Sequence, residues 1–120
     1  MWKDILLVGI GSFVGGVLRY LVSLMMKSAG GDFPWATFAV NILGCLLIGL
    51  LWGWGSRSLS PQLMMLLSVG LCGGFTTFST FSRESLALLQ GGSYLMFALY
   101  VAGSFVVGIL AVALGYAVTK

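Results

Sequence analysis

The run GGFTTFSTFS, Gly73 to Ser82, lies within an apolar segment long enough to cross a membrane. Two adjacent glycines come first, and five hydroxyl side chains then alternate with three phenylalanines. Gly is the weakest ordinary helix former, and Ser and Thr compete for backbone hydrogen bonds. Such backbone is tolerated at membrane depth where protein buries it or where it lines a cavity. The stretch therefore predicts a membrane helix broken near Gly73–Ser79, with the break beside a pathway.

Reading outward, the run belongs to the third of four apolar segments. They span about 5–26, 35–54, 62–89 and 94–118. Each approaches or exceeds the ~20 residues needed to cross ~30 Å of hydrocarbon. The third is the longest, as a span containing a break should be. Short connections with turn chemistry join them: Lys27 to Pro34, Gly55 to Pro61, and Gln90 to Ser93. Ser60-Pro61 reads as a helix start. Residues 1–120 form one integral membrane domain, all-α, with no room for a soluble one. The apolar stretch after Lys3 carries no Ala-x-Ala cleavage signal and continues past Arg19, so it reads as a retained helix rather than a signal peptide.

Composition agrees. Hydrophobic residues make up 59% of the 120, and charged residues only 8%. The net charge of +3 is scattered over Lys3, Arg19, Lys27, Arg57, Arg83 and Lys120, which gives no nucleic-acid patch. There is no histidine, and Cys45 and Cys72 both fall in apolar segments. A metal site built from side chains, or a Cys–His catalytic pair, has almost no raw material. The chain does not read as an enzyme.

The basic residues barely distinguish one side of the membrane from the other. With the amino terminus inside, Lys3, Arg57 and Lys120 are inside, while Lys27 and Arg83 are outside and Arg19 leans outward. The positive-inside rule normally needs a clear excess. Two readings stand: a small protein with few charges, or a chain that inserts both ways and assembles antiparallel. Close packing is expected at Gly11/Gly15, Gly49/Gly53, Ser104/Gly108 and Ala111/Gly115, whose small-xxx-small spacing lets helix backbones approach. Four helices enclose little alone, so a homo-oligomer is the natural assembly.

Polar groups inside the membrane need a reason. Asn41 stands about two turns inside the second helix and offers amide donors, either as helix–helix glue or to an anion. Phe75, Phe78 and Phe81 recur every three residues, as do Thr76, Ser79 and Ser82, making neighbouring aromatic and hydroxyl stripes. A phenyl ring has a positive edge. Ring edges beside hydroxyl donors can solvate a small anion and still let it leave. Tyr100 and Ser104 share a face of the fourth helix and could extend the track. Arg19 either snorkels to the interface or draws anions into a vestibule. Asp4 and Asp32 lie at segment edges. Glu84 directly follows Arg83, and no carboxylate stands at the middle of a helix as a proton-coupled cation exporter would need.

Together these motifs resemble the Fluc, or CrcB, family of fluoride channels over nearly the whole chain. Gly11-Ser-Phe-Val-Gly-Gly-Val-Leu-Arg-Tyr20 is similar to the family's Gly-rich first helix. Phe33-Pro-Trp-Ala-Thr-Phe-Ala-Val-Asn-Ile-Leu-Gly44 is similar to its second-helix motif, and Gly73-Gly-Phe-Thr-Thr-Phe-Ser-Thr-Phe81 to its third-helix signature. The resemblance implies an antiparallel, dual-topology homodimer with two pores that export fluoride passively across the bacterial cytoplasmic membrane. Asn41, Phe78, Phe81, Ser79, Thr80, Tyr100 and Ser104 match positions of the fluoride pathway. Gly73 and Thr76 match the positions whose backbone carbonyls hold a central, structural sodium ion. Ala36 and Cys45 depart from the family's usual Gly and small polar residue, which implies altered packing. Two rivals remain: a small proton-coupled drug or cation exporter, and a non-transporting membrane assembly subunit.

Overall fold

The computed structural model describes residues 1–26 and 33–120. Lys27, Asp32 and most of the first connection lie outside the described residues. The elements are α1 (Trp2–Met25), α2 (Trp35–Ser58), α3 (residues 61–75), α4 (Phe78–Gln90) and α5 (Tyr94–Thr119). α3 and α4 together make the third span, Pro61–Gln90, and all four spans are long and apolar enough to cross a membrane. This is an all-helical, multi-pass membrane protein.

α1 begins at Trp2 rather than Ile5. Asp4 falls in its first turn, where the helix dipole favours a carboxylate. α2 runs on to Ser58 rather than stopping at Trp54, because side chains take up the carbonyls of its last turns. Ser56 Oγ donates to Trp52 O at 2.7 Å, and Arg57 Nε donates to Gly53 O at 3.0 Å. The Arg57 guanidinium also donates to Thr119 O at the end of α5. α3 starts as its sequence predicts: Ser60 Oγ accepts from Leu63 N–H at 3.1 Å, with Pro61 in the first turn. The α4–α5 turn uses Gly92 at φ +78°, and Ser93 N–H reaches back to Leu88 O at 2.9 Å.

Burial runs opposite to that of a soluble protein. Phe13 is 73% exposed and Ile109 68%, while the buried hydrophobic residues among those described are Val40, Leu51, Cys72, Phe81, Leu88 and Tyr100. Apolar side chains on the outside suit lipid. Small residues carry the packing inside. α1 lies on α3 through Gly11 and Gly15. A methyl group added at Gly11 would sit 2.8 Å from Gly70 Cα, and one added at Gly15 would sit 2.7 Å from Phe75 N. α2 lies on α5 in the same way: a methyl at Gly53 would stand 2.9 Å from Tyr116 O, and one at Gly115 would stand 2.8 Å from Leu50 N. The small-residue pairs thus work between helices of one chain.

Two stretches widen to π-helical turns, Leu51–Gly55 and Leu66–Cys72. The second faces Gly11 of α1, and in it Ser68 Oγ donates back to Met64 O at 2.6 Å. Such widenings cluster at functional sites. This one leads directly into the break of the third span. Beyond the break, Phe81 and Leu88 of α4 pack with Tyr100 of α5, and Phe33 and Phe38 close over them. That aromatic cluster ties α4 to α2 and α5.

Candidate functional site

The break falls at Thr76 and Thr77, which are extended (φ −85°, ψ 158° and φ −150°, ψ 122°). Gly73, Gly74 and Phe75 remain helical. The predicted interval is right, but the glycines in it do not bend the chain. Gly74 is small for another reason: a methyl there would fall 2.8 Å from Ser12 Cα on α1.

A broken helix leaves backbone groups without partners, and at membrane depth they must be satisfied by other protein groups. Three side chains, Asn41, Arg19 and Thr77, do this, and a fourth, Thr76, doubles the bond that its own N–H makes to Cys72 O. Thr77 N–H donates to Asn41 Oδ1 at 2.9 Å, and Asn41 Nδ2 donates to Thr77 O at 3.3 Å. Thr76 Oγ1 donates to Cys72 O at 2.9 Å. Arg19 Nε donates to Gly74 O at 3.3 Å. Thr77 Oγ1 accepts from Thr80 N–H at 3.3 Å and so caps α4. Asn41 therefore acts as glue across the break while one of its two amide hydrogens stays uncommitted.

Beside the break runs a groove of about 350 Å³. Its polar and aromatic wall is Asn41, Thr76, Thr77, Phe78, Phe81 and Ser104, and Ile48, Phe105 and Val112 make the apolar side. Ser104 Oγ is buried and has no hydrogen-bond partner, alone in this among the side-chain nitrogens and oxygens of the described residues. A buried hydroxyl left unpaired costs about 1–3 kcal/mol, so the site holds a polar group ready for a ligand. The Phe78 and Phe81 rings lie 6.0 Å apart at 40°. Phe81 is anchored against Tyr100 (5.0 Å) and edge-on to Phe105 (6.1 Å, 89°), whereas Phe78 is 74% exposed.

Other predicted positions stand apart from this groove. Ser79 is exposed, and its hydroxyl lies 3.5 Å from Thr77 Oγ1. Thr80 is half-buried, and its backbone serves the α4 cap. Tyr100 is fully buried, and its Oη donates to Glu84 Oε1 at 3.2 Å. Glu84 lines a second cavity of about 400 Å³ with Pro34, Leu88 and Ser93. Arg19 is held at the break, on the α1 side. Thr77, Glu84 and Phe105 also shape the region. Glu84 had a signal in the sequence, since it continues the three-residue spacing of Phe78 and Phe81. Thr77 and Phe105 had none without a map of contacts.

Among the described residues, no three His, Cys, Asp or Glu side chains gather to hold a metal. The backbone offers a different donor set. Gly73, Phe75 and Thr76 carbonyls accept no hydrogen bond among the described residues, while neighbouring Cys72, Gly74 and Thr77 carbonyls do. Gly73 is exposed, with open space where a side chain would start. Unpaired carbonyl oxygens are the ligands a hard monovalent cation takes in place of water. The residues present therefore fit a sodium ion.

Fold and groove together define a multi-pass membrane protein built around a broken helix, with a polar and aromatic wall at the break. The chain belongs to the CrcB family: the model described as CrcB-like protein, Camphor Resistance (CrcB), matches residues 6–116. The chain is 52% identical over 115 residues to a protein of Phocaeicola vulgatus named fluoride-specific ion channel FluC, covering 94% of this chain and 95% of that one. A Bacteroides fragilis protein of the same name is 48% identical over 118 residues (94% and 93% of the two chains). One from Chlorobaculum tepidum, also so named, is 50% identical over 109 residues (89% and 86%).

Proposed function

We propose that the chain forms a fluoride-selective channel that passively exports fluoride across the bacterial cytoplasmic membrane and so limits its toxicity. Relatives that match most of the chain are named fluoride-specific ion channels. The observation that carries the reading is the groove wall. There, the unpartnered Ser104 hydroxyl and the spare Asn41 amide hydrogen stand with the rings of Phe78 and Phe81. Fluoride is small and strongly hydrated, so its water must be replaced by donors. Hydroxyl and amide hydrogens and positive ring edges supply these without a full cation that would trap the ion. A negative cell interior drives the anion outward by about 2.3 kcal/mol per 100 mV.

The working unit in this reading is an antiparallel, dual-topology homodimer. Gly73, Phe78 and Ser79 are exposed on the single chain, and a second copy would enclose them. Ser79, Thr80 and Tyr100 then extend the fluoride track, and Arg19 draws anions toward the mouth. The Gly73 and Thr76 carbonyls of both copies would hold a sodium ion whose positive charge braces the two breaks.

Glu84 favours a second reading, proton-coupled exchange, because it is a carboxylate within the third span bonded to Tyr100. One experiment separates the two. Fluoride efflux from proteoliposomes is followed with a selective electrode, with and without an imposed pH gradient. A channel gives efflux that follows the fluoride concentration gradient and the membrane voltage and is not driven uphill by a pH gradient. Uphill fluoride movement driven by the pH gradient would establish the exchanger.

A further inference from the structure

Three contacts converge on Thr77. Asn41 holds its backbone at both ends, accepting from the N–H at 2.9 Å and donating to the carbonyl at 3.3 Å. Its own hydroxyl accepts the Thr80 N–H at 3.3 Å and starts α4. The next residue, Phe78, has little else to fix it. It is 74% exposed, and Phe81 is its only aromatic partner among the described residues. The direction of the Phe78 ring therefore follows from the backbone at Thr77 and the first turn of α4. We infer that Thr77 is a positioning residue: locked by Asn41 below and capping α4 above, it aims Phe78 at the groove. This role rests on the fluoride-channel reading and adds to it. Asn41 reaches the anion path in two ways, by its spare hydrogen and through Thr77.

The chemistry requires a side-chain acceptor that can reach Thr80 N–H. Serine retains one, and valine keeps the shape of threonine without it. Small displacements at a site that must fit its ligand closely cost large rate factors. Fluoride efflux per folded protein in proteoliposomes is the readout. Thr77→Val is expected to lower it about tenfold, and Thr77→Ser to keep it within about twofold of the parent. Because efflux is counted per folded protein, a loss in the valine variant that serine restores separates positioning from a cap that serves stability alone. If valine fails to fold, Thr77→Gly replaces it, because glycine is itself tolerated at a cap position while lacking the side-chain acceptor. Its flux should be equally low. Unchanged flux in Thr77→Val or Thr77→Gly, or equal loss in valine and serine variants, would overturn the positioning role alone. A parent protein that passes no fluoride would overturn the channel reading and this role with it.

Discussion

Asn41 commits both ends of its carboxamide to one residue, Thr77, and keeps one hydrogen free. Ser104 commits nothing. The two therefore respond differently to substitution. Ser104→Ala removes a buried, unpaired hydroxyl, so stability should hold or rise by about 1 kcal/mol while fluoride flux falls. Thermal unfolding in detergent, paired with efflux, checks both signs. The phenylalanines also separate. Phe81 packs on Tyr100 and Phe105, so Phe81→Ile should slow flux and cost about 1 kcal/mol or more in stability. Phe78 is exposed on the single chain, and Phe78→Ile should slow flux with a smaller stability loss. Equal flux in both variants and the parent would remove the ring edges from the mechanism.

At the scale of elements, the contrast between neighbouring glycines is the sharpest test. A methyl at Gly15 meets the backbone of Phe75 and Gly74, which cannot move without separating α1 from α3. A methyl at Gly16 meets nothing within 4 Å in the chain. Gly15→Ala should destabilise the fold by about 1–3 kcal/mol despite alanine's better helix propensity, while Gly16→Ala leaves it folded and equally stable or better. Unfolding in detergent would show this difference. Much of this level was legible in the sequence. Four apolar runs, Ser60-Pro61 at a helix start and the Gln90–Ser93 turn all carry local signals. The position of the break within Gly73–Ser79 did not. Gly74 is there for contact with α1, and the extended pair Thr76-Thr77 is fixed at Thr77 by Asn41, 36 residues away in sequence. The π-helical widenings carry no local signal either, since they answer to the helix packed against them.

For the whole molecule, the groove composition was readable as a list of residues but not as a place. Asn41, Phe78, Phe81 and Ser104 come together because α2 and α5 lie on each other through Gly49, Gly53 and Gly115. Tyr100 shares a helix face with Ser104 yet turns to Glu84, so identical spacing led to different surroundings. The proposed antiparallel dimer adds its own prediction. Reporters fused to the carboxyl terminus should appear on both sides of the membrane, because the basic residues barely favour either one. A single orientation would contradict the antiparallel assembly. The most direct measurement is the release of fluoride and of chloride from proteoliposomes loaded with each in turn, read with ion-selective electrodes. Rapid fluoride release with chloride retained is the predicted result. Retention of both anions by well-folded protein, or equal release of the two, would contradict it.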